Sequence, residues 1–181
     1  LLTRVDDREE IVKYSELMGI SHIIDRKLGD LSGGELQRVA ICATLLKEAD
    51  VYFFDEPSSY LDIYERMRMV GVVRDMAERG KRVLVVEHDL AILDVLCDLV
   101  HVIYGERSAY GIFTPPRSTR TAINAYLDGF LPEENVRIRD KPIRFLRGRT
   151  RGEGAGAPIL KWGSIEKTLG DFNLKTGEGE V

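Results

Sequence analysis

The chain is 181 residues long, 44% hydrophobic and 31% charged, with a formal net charge of −4. These are the proportions of an ordinary soluble globular protein of one domain, or of one domain with part of a second. No apolar run approaches the roughly 18 residues that cross a bilayer, and no charged-then-apolar leader opens the chain, so a cytoplasmic location and no membrane partner are expected. The two cysteines, Cys42 and Cys97, lie in apolar helical patterns without Cys-x-x-Cys spacing. Neither a disulfide framework nor a zinc or iron–sulfur site can be built from them alone.

In chain order, Asp6 is placed to cap a helix through Ile11, Tyr14, Leu17 and Met18, which Gly19 stops. Ser32 and Glu35 fit the Ser-x-x-Glu capping box, and the helix they open carries Leu36, Val39, Ala40, Ala43 and Leu46 on one face. Residues 51–55 form a continuous apolar run into Asp55, the pattern of a strand covered on both faces. Pro57 stops it, and Asp62 caps a helix that reaches Gly80. Residues 83–87 read as a second buried strand, Asp89 starts a short helix through Leu96, and residues 99–104 make a third strand. Strand, helix, strand, helix, strand in that order implies a parallel sheet with helices packed on it.

Beyond Gly105 the character changes. Pro115-Pro116 marks a break, and residues 118–130 suit one more amphipathic helix. Arg137, Arg139, Lys141, Arg144, Arg147, Arg149 and Arg151 then crowd one segment. Such a run reads either as a solvated linker or as a contact with a polyanion, nucleic acid being the obvious candidate. Residues 147–156 are too rich in glycine and arginine to pack a core and read as a flexible linker. Short strands are expected at 159–162 and 172–175, with Trp162 in a buried core.

Ligands of parallel sheets gather beyond the carboxyl ends of the strands, where Asp55, Glu56 and His88 fall. Splitting a nucleoside triphosphate requires charge neutralised on the phosphates and a water aimed at the terminal phosphorus. Asp55 suits a Mg2+ ion, and Glu56 suits the attacking water. The alternative, that Asp55-Glu56 merely ends a strand, fits poorly with the four apolar residues Val51-Tyr52-Phe53-Phe54 running directly into Asp-Glu-Pro. An imidazole at His88 can touch the terminal phosphate, whereas His22 and His101 have no such context. Ser32, Gly33 and Gly34 place a hydroxyl and unpaired N–H groups at a helix mouth suited to phosphate oxygens. Two glycines there cost helix stability of about 1 kcal/mol each relative to alanine, which makes sense where a backbone must approach a ligand. No Gly-x-x-x-x-Gly-Lys-Ser/Thr string occurs.

The motifs carry a resemblance. Leu31-Ser32-Gly33-Gly34-Glu35-Leu36-Gln37-Arg38 resembles the ABC signature, and Phe53-Phe54-Asp55-Glu56-Pro57 is similar to Walker B with its catalytic glutamate. Ser58-Ser59-Tyr60-Leu61-Asp62 resembles the D-loop, and Glu87-His88-Asp89 the switch histidine. The Ser58-Ser59 start of the D-loop departs from the transporter pattern. Together with Val102-Ile103-Tyr104-Gly105, Ala109-Tyr110-Gly111, residues 119–124 and residues 138–145, it resembles the RNase L inhibitor family, ABC subfamily E.

That resemblance implies an α/β, P-loop NTPase-like ABC nucleotide-binding domain fragment with a parallel sheet and flanking helices, lacking the Walker A region. It implies residues 1–131 as the C-terminal part of a first nucleotide-binding domain. Residues 132–157 would be a basic hinge and linker, and 158–181 the first strands of a second domain. It further implies ATP and Mg2+ as cofactors, with [4Fe–4S] clusters only in an N-terminal domain outside these residues. The implied activity is ATP hydrolysis that drives ribosome recycling after translation termination. The implied partners are the second nucleotide-binding domain, the small ribosomal subunit and rRNA. Glu56 and His88 would be catalytic, and Asp55 the metal residue. Ser32, Gly33, Gly34 and Gln37 would face the partner cassette's nucleotide, and Asp62 would belong to the D-loop. Alone, these residues are expected to be inactive. A transporter ATPase subunit and a non-catalytic ribosome- or RNA-binding module are the competing readings.

Overall fold

A computed structural model describes residues 1–145 and 159–181. They divide into two compact units, Leu1–Ile143 and Arg144–Val181.

The first unit starts with a short helix, α1 (Leu2–Val5), which the sequence pattern did not announce. The next, α2 (Ile11–Leu17), is headed by Asp6 from a distance. The Asp6 carboxylate accepts hydrogen bonds from the N–H groups of Arg8, Glu10 and Ile11 at 3.0–3.3 Å. Gly19 follows in the left-handed region at φ 63° and ends the turn. Helix α3 (Gly33–Leu45) opens on the expected capping box: Ser32 Oγ accepts from the Glu35 N–H, and Glu35 in turn accepts from the Ser32 N–H. Arg38 pins α3 in place, donating to the carbonyls of Met18 and Gly19 and pairing with Glu65 at 3.2 Å.

Strand β1 (Val51–Asp55) pairs in parallel with β2 (Arg82–Val86), Asp55 lying opposite Val86. Between them runs α4 (Ile63–Glu78), whose N-cap Asp62 accepts from the Glu65 N–H. After β2 comes α5 (Leu90–Leu96), capped by Asp89. Tyr52 and Phe54 turn into a core that includes Met18, Ile20, Cys42, Leu45, Leu46 and Met69. The other face of the pair is open: Phe53 is 61% exposed and Leu84 54%. The expectation of strands covered on both faces is therefore corrected, because α3 and α4 supply a core on one side of the sheet. Among the described residues no helix is long and apolar enough to cross a membrane.

The expected third parallel strand is corrected as well. Residues 99–104 divide between β3 (Leu99–Val100) and β4 (Ile103–Glu106). Strand β4 forms an antiparallel hairpin with β5 (Tyr110–Phe113), while β3 pairs with β6 (Arg117–Ser118). The cause lies at Thr114, whose hydroxyl accepts from the Val102 N–H and whose N–H donates to the Val102 carbonyl. The local demand for these bonds breaks the run at His101-Val102. Helix α6 (Thr119–Asp128) ends at Gly129, left-handed at φ 71°. A small hairpin, β7 (Phe130–Leu131) with β8 (Val136–Arg137), follows. Within the basic segment Arg139 is anchored, while Arg137, Lys141 and Arg144 are exposed. Arg139 donates to the Tyr126 and Leu127 carbonyls at the end of α6 and lies over the Tyr126 ring. Arg147, Arg149 and Arg151 lie outside the described residues.

The second unit pairs β9 (Lys161–Trp162) with β12 (Gly179–Glu180), and β10 (Ile165–Leu169) with β11 (Phe172–Thr176), both antiparallel. Trp162 does not enter a core. It stays 36% exposed, its indole N–H donating to the Gly177 carbonyl at 3.1 Å. A two-stranded pair has no second layer to bury it.

Candidate nucleotide site

The chain turns sharply after β1. Glu56 adopts φ 46°, a left-handed backbone that a non-glycine residue keeps only when its surroundings enforce it. Its N–H donates to the Val86 carbonyl of β2 at 2.9 Å. Its carbonyl accepts from Gln37 Nε2 of α3 at 3.3 Å, and the same amide reaches the Pro57 carbonyl at 3.2 Å. So fixed, the Glu56 carboxylate projects outward and 52% of the side chain is exposed. Asp55 is exposed beside it. The two acids therefore stand at an open rim rather than beneath packed side chains.

His88 reaches this rim from the end of β2. Its Nδ1 lies 3.4 Å from Glu56 Oε1, and the ring is 74% exposed. What holds His88 is Glu87, which the sequence places at the end of a buried strand and in the switch motif but gives no role of its own. The Glu87 side chain is fully buried. Its Oε1 accepts the N–H groups of His88 and Asp89 at 2.9 and 3.2 Å, and its Oε2 accepts the Ser58 hydroxyl at 2.6 Å. A buried carboxylate is costly unless hydrogen bonds satisfy it. These three bonds do so and tie the turn after β1 to the turn after β2. The one signal for it in sequence is an acid where the apolar run should continue.

At the mouth of α3, the Ser32 hydroxyl donates to Glu35 Oε2 at 2.8 Å. The Ser32 backbone N–H and then its hydroxyl hold the Glu35 carboxyl below the usual carboxylate range. The first N–H groups of a helix have no partner inside it, and a helix mouth such as that at Gly33 and Gly34 is suited to an anion. The two glycines differ. A Cβ on Gly34 would sit 2.9 Å from the Tyr60 carbonyl oxygen, whereas one on Gly33 would meet only the Tyr60 ring at 3.5 Å. Tyr60 is itself left-handed at φ 62° and largely exposed. Gly34 is therefore required in part by the D-loop that packs on it. Gln37 turns toward Glu56, and Asp62 spends its carboxylate on the head of α4. His101 bonds the Thr114 carbonyl through Nδ1 and belongs to the turn there.

Among the described residues no group of three or more His, Cys, Asp or Glu side chains forms a metal cage. Mg2+ commonly takes one or two carboxylates and completes its shell with phosphate oxygens and water. The exposed Asp55 fits that role as a single carboxylate beside a polyphosphate.

A family model described as "ABC transporter" matches residues 3–59. An uncharacterized ABC transporter ATP-binding protein of Methanocaldococcus jannaschii is 47% identical over 182 residues, covering 100% of this chain and 30% of that protein. A solved structure titled "RNase-L Inhibitor" matches at 44% identity and a TM-score of 0.90, covering 99% of this chain and 35% of that one. The chain belongs to the RNase L inhibitor family, ABC subfamily E. A further member of high similarity is the archaeal ribosome recycling factor aABCE1, solved in complex with the ribosomal stalk protein aP1. It shows 45% identity and a TM-score of 0.90 over 99% of this chain and 35% of that one. The chain thus spans about 30% of the length of the curated relative it matches.

Membership corrects one expectation. The ABC family model matches residues 3–59 of this chain, so its description as a fragment lacking the Walker A region is not supported. The α/β nucleotide-binding-domain fold with a parallel strand pair and flanking helices stands.

Proposed function

We propose that this chain is part of a soluble, cytoplasmic twin-cassette ABC ATPase that binds and hydrolyses ATP to split ribosomal subunits for recycling. The observation that carries this is the rim where the exposed Asp55 and Glu56 end one strand and His88, after the next, lies 3.4 Å from the Glu56 carboxylate. In this reading Asp55 orients Mg2+ against the phosphates, and Glu56 polarises the attacking water. His88 meets the terminal phosphate oxygen through the exposed side of its ring. Bound Mg2+ supplies charge neutralisation on the phosphates. Ser32, Gly33 and Gly34 present the mouth of α3 to the nucleotide of a partner cassette, with Asp62 closing the D-loop between them. High similarity to a ribosome recycling factor supports the ribosome as partner. The basic segment that begins at Arg137 and Arg139 suits a contact with rRNA of the small subunit through electrostatics.

The test is ATP turnover by the full-length polypeptide that carries these residues, with its other ATP site silenced. Glu56→Gln is expected to lower turnover by roughly 10²–10⁴-fold, the ordinary contribution of a general base. Unchanged turnover would remove Glu56 from the chemistry.

A further inference from the structure

Gln37 was expected to face nucleotide, but its geometry places it elsewhere. It lies one turn beyond Gly33 and Gly34, on the α3 face that meets the loop after β1. Its Nε2 is committed to two backbone carbonyls, those of Glu56 and Pro57, at 3.3 and 3.2 Å. An amide NH2 has two hydrogens to donate, and here both have acceptors within reach.

The carbonyl it grips belongs to a residue whose backbone needs holding. Glu56 sits at φ 46°, where an L residue is strained. Its N–H is fixed by the Val86 carbonyl from β2, and its carbonyl by Gln37 from α3 and by the Ser59 N–H at 3.1 Å. The Ser59 hydroxyl also donates to the Glu56 carboxylate at 3.3 Å. Of these contacts, the Gln37 amide is the one that reaches across from the signature helix. We propose that Gln37 is a positioning residue that holds the left-handed backbone of Glu56, so that α3 sets the direction in which the water-activating carboxylate points. The proposal rests on the reading of Glu56 given above and concerns the same site.

A nucleotide ligand and a positioning residue separate in kinetics. Losing a ligand weakens ATP binding, whereas misdirecting a base slows the chemical step with binding retained. In the full-length polypeptide with its other site silenced, Gln37→Ala is expected to lower kcat by roughly 10- to 100-fold, the scale of a misplaced catalytic group. KM and the Kd for a non-hydrolysable ATP analogue should stay within about twofold. Gln37→Glu, which keeps the shape but turns a carboxylate oxygen toward two carbonyls, should be at least as slow. In a Glu56→Gln background, Gln37→Ala should add no further loss of rate.

A raised KM or Kd with kcat intact would make Gln37 a nucleotide contact and overturn the proposal. A rate loss in the Glu56→Gln background as large as in the wild type would overturn it too. Failure of both Gln37 variants to fold, read by circular dichroism, would assign the side chain to stability alone. If Glu56→Gln by itself leaves turnover unchanged, the reading of Glu56 fails first, a result distinct from any failure at Gln37.

Discussion

The ends of β1 and β2 lie side by side, and each carries a glutamate directly after its last strand residue. After β1 the Glu56 backbone is held at its N–H and its carbonyl, and the carboxylate is left in solvent. After β2 the arrangement is reversed: the Glu87 carboxylate is buried and does the holding, and the residue it secures, His88, is the one left exposed. One acid is left half-exposed at the rim, and the other is consumed in building the turn. An acidic residue at the end of a buried strand therefore says little about function until its exposure and its partners are known.

Replacing Glu87 is the strongest way to break this contrast. Glu87→Ala leaves the Ser58 hydroxyl and the N–H groups of His88 and Asp89 without their acceptor. The expected cost is about 2–3 kcal/mol of unfolding free energy, the order seen for buried donors left unpaired. Urea unfolding of the full-length polypeptide measures it. A stability equal to that of the wild type would erase the distinction between the two glutamates, since Glu56→Gln at the open rim is expected to leave stability nearly unchanged.

A smaller effect sharpens the comparison at the α3 mouth. Gly34→Ala drives a Cβ against the Tyr60 carbonyl and is expected to cost about 1–3 kcal/mol as an overpacked contact. Gly33→Ala meets only ordinary van der Waals contact and is expected to stay within about 0.5 kcal/mol of the wild type. Paired thermal melts separate the two. Equal penalties would mean that the glycines serve the ligand alone and not the D-loop.

Sequence alone revealed the parts of the site that are written locally. The capping box Ser32–Glu35 and the N-cap Asp62 are spaced by helix geometry, and Asp55-Glu56 is marked by the apolar run that ends there. The hold of Gln37 on Glu56 spans 19 residues and that of Glu87 on Ser58 spans 29, so no local pattern announces either. The fold was misread where a pattern has two outcomes. Residues 99–104 carry enough apolar residues for one strand, but Thr114 takes the middle of the run and sends its halves to different partners. Arg139 likewise looked like part of a free charge run, because its acceptors are main-chain carbonyls at the end of α6.

The central claim is that the rim formed by the two strand ends is where a metal-bound triphosphate sits. Electron paramagnetic resonance of Mn2+ in place of Mg2+, titrated with ATP into the full-length polypeptide with its other site silenced, addresses that claim directly. A bound Mn2+ signal with phosphorus coupling, lost or weakened at least about tenfold in Asp55→Asn, is the predicted result. An Asp55→Asn protein that binds Mn2+ and ATP as well as the wild type would place the metal elsewhere and contradict the account.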